Sequence, residues 1–380
     1  MPSIEAALRS LTDALPGMVD DLGTLVRQES PSADLAAVAA SADVVAELGE
    51  RLTGQAPERI VADGRTHLRW RFGDASDGRR VLLLGHHDTV WPVGSLTEHP
   101  WQVHDGRAYG PGCFDMKAGL VQLFHALSVL PSRDGVTVLV TGDEEVGAPS
   151  SRGLIQQEAR AGAAAFVLEA SADGGALKTA RRGVSHYEVR VRGRAAHAGL
   201  EPWNGANAGV ALAHLVVGLA DLDEGPHGPT VTPTVLAAGT TNNTVPADAS
   251  VHVDVRVASA ADRDRIDAAI RDLDPVVPGT AVDVRAGWAH PPLEPSATAE
   301  LFALAQRAAG ELGLEPLTGA SVGGASDGNI AAGVGTPTLD GLGAVGADAH
   351  APGEYVEVAH LPRRAALLAR LVELVRDQPR

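Results

Sequence analysis

A mostly parallel α/β sheet with helices on both faces, interrupted by an inserted α+β domain, is the architecture this sequence predicts. Through residue 175, short unbroken apolar runs alternate with helical segments, the pattern of strands buried on both faces of a parallel sheet. After Asp173-Gly174-Gly175 the strand-like runs become half polar, as expected where one sheet face is open. A stiff segment, His290-Pro291-Pro292-Leu293-Glu294-Pro295, then precedes helices that return to the first domain. The predicted boundaries are 1–175 with 290–380 for the discontinuous α/β domain and 176–289 for the insertion.

The elements follow in order. Ile4, Leu8, Leu11, Leu15 and Val19 recur at helical spacing, an amphipathic opening helix reaching about Leu25. Val81-Leu82-Leu83-Leu84-Gly85 reads as a doubly buried strand, Lys117–Leu130 as a helix and Gly135–Val140 as a second strand. Ser151 is placed to cap a helix ending near Arg160, and Ala164–Leu168 is a third strand. In the insertion, Val184, Tyr187, Val189 and Val191 alternate with polar residues, so Val184–Arg192 reads as a half-exposed strand. Val231–Leu236, Ser250–Val257 and Ala281–Val284 are further strands, with helices over Gly205–Leu222 and Ala260–Leu273. Helices at Ala297–Leu312 and His360–Asp377 complete the first domain.

Bulk composition narrows the class. The 380 residues are 44% hydrophobic and 21% charged, ordinary globular values at a length favouring more than one domain. Lys and Arg total 31 against 48 Asp and Glu, a formal charge of −17 that repels phosphate backbones and excludes nucleic acid as a partner. Cys113 is the single cysteine, so no intrachain disulfide forms, which fits a reducing compartment. Met1-Pro2-Ser3-Ile4-Glu5 has neither a basic nor an apolar signal region. No apolar run approaches the roughly 20 residues a bilayer span requires. A soluble, cytoplasmic chain with no membrane partner is expected.

Four segments place acids or imidazoles near the carboxyl ends of predicted strands, where ligands gather in open parallel sheets. In Gly85-His86-His87-Asp88, alternate side chains share a face, so His86 and Asp88 lie together and His87 points elsewhere. A carboxylate there can fix the imidazole tautomer that binds a metal; a polar turn is the plain alternative. In Gly110-Pro111-Gly112-Cys113-Phe114-Asp115, the acid either binds a cation or caps the helix that follows. Asp143-Glu144-Glu145 offers adjacent side chains that diverge, suiting a metal ligand beside a general base, or else an acidic surface turn. Glu169 ends an apolar strand and His350 lies in a loop; each alone reads as ordinary solvated surface before it reads as a ligand. Together His86, Asp115, Glu145, Glu169 and His350 form a nitrogen and oxygen set suited to zinc rather than calcium. One bridging carboxylate with two further ligands on each ion would make a dinuclear site.

In order and spacing these motifs resemble the superfamily of co-catalytic zinc metallopeptidases and amidohydrolases that includes carboxypeptidase G, acetylornithine deacetylase, succinyl-diaminopimelate desuccinylase and aminoacylase. The likeness runs from about Leu25 to about Arg370. It is strongest to carboxypeptidase G (glutamate carboxypeptidase), through the segment at 193–199 and the Gly-Gly-x-Ser-Asp loop at 323–327. The resemblance implies a zinc-peptidase-like catalytic domain carrying a lid that also forms a homodimer interface. It implies two zinc ions, with cobalt or manganese as substitutes, bridged by Asp115. His86 and Glu169 would complete one ion, Glu145 and His350 the other. Asp88 would orient His86, Glu144 would act as general base on a zinc-bridged water, and the peptide bond after Asp115 would be cis. In the lid, His197 would stabilise the oxyanion in the partner subunit, Asn243 and Arg256 would hold the substrate carboxylate, and Gly323 and Gly324 would line the substrate. The plain alternatives are a loop donor, a turn former and a surface strand charge.

The implied function is hydrolysis of an amide or peptide bond next to a free carboxylate, as in carboxypeptidase G. An N-acyl-amino-acid deacylase is the alternative, and a non-catalytic binding protein of the same fold the minor one. Ser321-Val322 stand where carboxypeptidase G leads one to expect an arginine, which weakens the case for strict C-terminal glutamate preference.

Overall fold

Arg80–His86 is buried along nearly its whole length because it lies between two parallel neighbours, Val136–Thr141 and Gly162–Val167. Its side chains alternate between two apolar layers. Leu82 and Leu84 join Leu139, Ile155 and Val167 on one face, and Val81 and Leu83 join Val138, Phe166 and Leu123 on the other. The computed structural model describes residues 4–74 and 79–377. In it the chain divides into two compact units. The first runs through Ala180 and resumes over Leu293–Val322 and from Ser326 onward; the second comprises Arg181–Pro292 with Gly323–Ala325.

The first unit is built on a six-stranded sheet ordered Glu58–Ala62, Arg65–Phe72, Val136–Thr141, Arg80–His86, Gly162–Val167, Thr338–Leu339. The last four are mutually parallel, and the first two form an antiparallel hairpin on the edge. Helices Arg152–Arg160 and Asp327–Ala332 cover one face. Leu15–Arg27, Leu35–Thr53, Ala118–Val129, Pro295–Glu311 and Leu361–Arg376 supply the larger core on the other. This is the mostly parallel α/β sheet with two helical layers that the sequence predicts. Among the described residues no helix is long and apolar enough to cross a membrane.

The second unit is a four-stranded antiparallel sheet ordered Thr230–Ala238, Asp248–Val257, Gly183–Arg192, Ala281–His290. Tyr187, Val189, Val191, Val251, Val253 and Val255 pack beneath helices Ala208–Ala220 and Ala260–Arg271. The intervening residues, including His186, Glu188, Arg190, Asp254 and Arg256, are only partly buried on the other face.

Several local expectations change. The opening helix is two, Ile4–Asp13 and Leu15–Arg27, with Pro16 in the first turn of the second, where its missing amide costs nothing. Ser151 takes the N-cap position, but its backbone is α-helical rather than extended and its hydroxyl makes no capping bond. His290 does not open a linker; it ends the strand, paired with Val184.

One contact shows how closely the helices approach the sheet. A Cβ on Gly119 would lie 2.1 Å from the Leu168 carbonyl oxygen, at the strand end just before Glu169. Gly119→Ala must therefore push the helix off the strand. It is expected to cost about 1–3 kcal/mol, read as a lower urea midpoint with unchanged slope.

Candidate active site

The five candidate ligands all come from the first unit and leave the sheet at one edge. His86 is the last residue of its strand, opposite Thr141 in the register. Glu144 and Glu145 form a short 3-10 turn after Val136–Thr141, and Glu169 follows Gly162–Val167 by two residues. Asp115 lies in the turn after Gly112, whose φ of 69° is a left-handed conformation that suits glycine. The Asp115–Met116 peptide bond is cis, as the resemblance implies. His350 sits in its loop at φ 63°.

The side chains converge. Asp115 Oδ1 lies 3.3 Å from His86 Nε2 and Asp115 Oδ2 lies 3.2 Å from His350 Nε2. His86 Nε2 is also 3.3 Å from Glu169 Oε1, and His350 Nε2 is 3.3 Å from Glu145 Oε1. One carboxylate thus faces two imidazoles, one oxygen each, and each imidazole faces a second acid. The helix-capping alternative for Asp115 is not what it does: the helix starting at Ala118 has no side-chain cap.

The donor set fits a cation. His86 Nε2, Asp115 Oδ1 and Glu145 Oε1 are buried, yet none has a hydrogen-bond partner among the described residues. Ligand atoms of His86, Asp115 and Glu145, and those of His86, Glu144 and Glu169, lie within 4.8 Å of one another. Buried polar atoms are normally paired, so three such atoms pointing into one space mark a place for a shared positive partner.

Neighbouring groups fix these side chains. His86 Nδ1 lies 2.9 Å from the Asp88 carbonyl oxygen. A carbonyl only accepts, so Nδ1 carries the proton and Nε2 turns its lone pair to the cluster. The Asp88 carboxylate stands farther from Nδ1, at 3.5 Å. It accepts instead from Ser32 Oγ at 2.7 Å and from the backbone N–H groups of Glu144 and Glu145, both at 3.2 Å. Asp88 therefore aims the histidine through its backbone and the Glu144-Glu145 turn through its side chain. His87 faces away, its Nε2 donating to Thr66 O at 3.0 Å; burial lowers its pKa to about 4, so it is a neutral core donor.

The electrostatics agree. Burial opposes charge on His86, but Asp115, Asp88, Glu169 and Glu144 outweigh it and hold its pKa well above the usual range. Asp115 and Glu145 push His350 up to about 10. Burial first, then the charge of Glu169, keeps the Glu144 carboxyl well above an ordinary glutamate. The pocket carries more negative charge than its own imidazoles balance, the condition under which divalent cations bind.

Two residues given no role in the sequence reading help build the site. Met116 Sδ accepts from His86 N at 3.2 Å. Glu354, four residues after His350, accepts the amides of the Asp115 turn. Neither bond has a sequence signature, because the partners are backbone groups. The spacing His350-x-x-x-Glu354 is the only available cue.

The remaining candidates lie in the second unit. His197 Nδ1 accepts from Gly199 N at 3.1 Å, which leaves Nε2–H as an exposed donor. Its loop pairs with that of Asn243, Ala198 N donating to Asn243 O at 2.8 Å. Arg256 is held by Asp254 through bonds of 2.7 and 2.9 Å. Gly324 O accepts from Arg181 Nη1 at 3.1 Å, and a Cβ on Gly323 or Gly324 would meet nothing within 4 Å.

Fold and site together define the class: an α/β protein with a buried cluster of imidazoles and carboxylates that could hold metal ions. The model of Peptidase family M20/M25/M40 matches residues 82–374, and the chain belongs to that family. Carboxypeptidase G2 of Pseudomonas sp. (strain RS-16) is 31% identical over 387 residues, covering 96% of this chain and 90% of that protein. A succinyl-diaminopimelate desuccinylase of Xanthomonas euvesicatoria pv. vesicatoria (strain 85-10) is 30% identical over 319 residues, covering 77% and 83%. Among solved structures, aminopeptidase PepT from Bacillus cereus ATCC 10987 matches at a TM-score of 0.74 and 21% identity, covering 96% of this chain and 98% of that one. The M20 family metallo-carboxypeptidase Sso-CP2 from Sulfolobus solfataricus matches at 0.70 and 16%, covering 96% and 99%. These two likenesses are of fold.

Proposed function

We propose that this chain is a two-metal hydrolase that cleaves an amide or peptide bond next to a free carboxylate on its substrate, in the manner of carboxypeptidase G. The observation that carries the reading is the Asp115 carboxylate, with one oxygen 3.3 Å from His86 Nε2 and the other 3.2 Å from His350 Nε2. Asp115 would be shared, His86 and Glu169 holding one ion and Glu145 and His350 the other. Imidazole and carboxylate donors suit zinc, with cobalt or manganese as substitutes. When bound, the ions supply Lewis acidity, making water a nucleophile at neutral pH and polarising the scissile carbonyl.

The protein's own groups manage the proton and the substrate. Glu144 takes the proton of the attacking water and passes it to the leaving amine; its raised pKa brings it toward the range useful for that exchange. Asp88 keeps His86 and the Glu144-Glu145 turn aimed. The second unit acts as lid and dimerisation domain: His197 of one protomer offers its Nε2–H to the oxyanion formed in the other, and Asn243, Arg256, Gly323 and Gly324 bind the substrate around its carboxylate. The homodimer reading is supported by apolar side chains exposed there, Val210 and Val217 on helix Ala208–Ala220 and Val235 and Leu236 on the edge strand. A buried, unpaired Cys113 fits a cytoplasmic protein.

Ser321-Val322 favour a second reading, an N-acyl-amino-acid deacylase, because no arginine clamps a second substrate carboxylate there. A panel of folate-like, N-acyl-glutamate, dipeptide and N-acetyl amino acid substrates, assayed with zinc, cobalt and manganese, separates the two. Hydrolysis is expected to stop on chelation, to return with added metal and to fail on substrates whose carboxylate is amidated. Turnover indifferent to both treatments would rule the reading out.

A further inference from the structure

Glu354 is 3% exposed and carries four hydrogen bonds on one carboxylate. Oε2 accepts from Trp91 Nε1 and from Gly112 N, both at 2.8 Å; Oε1 accepts from Phe114 N at 2.8 Å and Asp115 N at 3.0 Å. An ionised carboxylate only accepts and offers about four lone-pair positions, so the side chain is saturated. Its backbone is engaged by the same turn, Glu354 O accepting from Gly110 N at 3.4 Å and from Cys113 Sγ at 3.6 Å. On the other side, Glu354 N donates to Ala351 O at 3.1 Å and Ala351 N to Asp348 O at 3.0 Å, closing the tight loop that presents His350.

Buried amides need acceptors, and in the Gly112–Asp115 turn three of them find theirs in this one side chain. The residue that fixes the Asp115 turn is thus the residue that ends the His350 loop. We propose that Glu354 is a positioning residue for the metal centre, locking the Asp115 turn to the His350 loop so that the two ligands face each other at the spacing that retains the ions. The proposal rests on the two-metal reading above. Neither near relative of glutamate can replace it. Glutamine turns one oxygen into an NH₂ group aimed at a pair of donors, and aspartate is one methylene too short to reach both pairs.

The test compares wild type with Glu354→Gln, both stripped by chelator and titrated with zinc and with cobalt(II). Wild type is expected to take up two equivalents. Glu354→Gln should bind about 10–100-fold more weakly and show an altered cobalt visible spectrum, while its metal-free far-UV circular dichroism stays that of wild type. A purely structural role predicts the reverse: a lower metal-free Tm, with zinc affinity and cobalt spectrum unchanged in the folded protein. That result overturns the proposal. Should Glu354→Gln not fold, Glu354→Asp carries the same test, because it keeps the charge but cannot span both donor pairs; wild-type zinc affinity in it is equally fatal. If wild type itself takes up no metal, the two-metal reading has failed. If wild type does and Glu354→Gln matches it, only the role of Glu354 has.

Discussion

Alanine in place of Glu144 is expected to lower turnover about 10²–10⁴-fold, the usual worth of a positioned acid-base group, with metal content unchanged. The turn that carries Glu144 explains why the two effects separate. Asp88 accepts the backbone N–H groups of both Glu144 and Glu145, so the turn is held from beneath by its main chain. Truncating the Glu144 side chain removes neither bond. Glu145 keeps its place 3.3 Å from His350 Nε2, and the other proposed ligands are untouched. Glu144 also lies within ligand distance of His86 and Glu169, so a metal-binding role competes with the role of base. The variant distinguishes them. Two bound equivalents with slow turnover identify the base, whereas loss of one equivalent together with activity makes Glu144 a ligand. Near-normal turnover would move the base elsewhere.

The sheet edge that carries the candidate site is legible in the sequence because its logic is local. Strands such as Leu82–Leu84 and Val136–Val140 are apolar on both faces, and such strands place whatever follows them at one sheet edge. His86, Glu144, Glu145 and Glu169 each follow a run of that kind. The edge hairpin Glu58–Phe72 was harder, because arginines at 65, 69 and 71 interleave with Leu68, Trp70 and Phe72. Its one strong cue was Asp63-Gly64, both with positive φ, a dipeptide typical of two-residue hairpin turns. Helix Leu35–Thr53 is hard to read from sequence for another reason. Its alanine-rich sequence gives a weak apolar stripe, and its packing against Trp70 and Phe124 through Gly49 comes from tertiary context. Glu354 was beyond reach because backbone amides leave no residue pattern to match. Arg256 shows a related gap. The resemblance implies that Arg256 holds a substrate carboxylate, whereas Asp254, two residues earlier on the same strand, already pairs with it, so a substrate carboxylate has to compete with Asp254 or share the group.

Removing the Asp115 carboxylate should do more damage than removing any other ligand. Its two oxygens face different imidazoles, so Asp115→Ala takes a donor from both proposed ion sites at once, whereas His350→Ala or Glu169→Ala takes a donor from one. Metal uptake is therefore expected to fall from two equivalents toward none in Asp115→Ala, and toward one in each single-site variant. Turnover should drop to background in Asp115→Ala. Stability gives a readout independent of catalysis. A ligand that binds only the folded state stabilises it by about 2.7 kcal/mol at a hundredfold excess over its Kd, so zinc should raise the Tm of wild type and leave that of Asp115→Ala unmoved. The backbone around the substitution is expected to survive, because the turn's amides are held by Glu354 rather than by the Asp115 side chain. A Tm that still rises with zinc, or an uptake that stays at two equivalents, would mean that the ions, if bound, are not bridged by Asp115, and the arrangement of every other ligand would have to be redrawn.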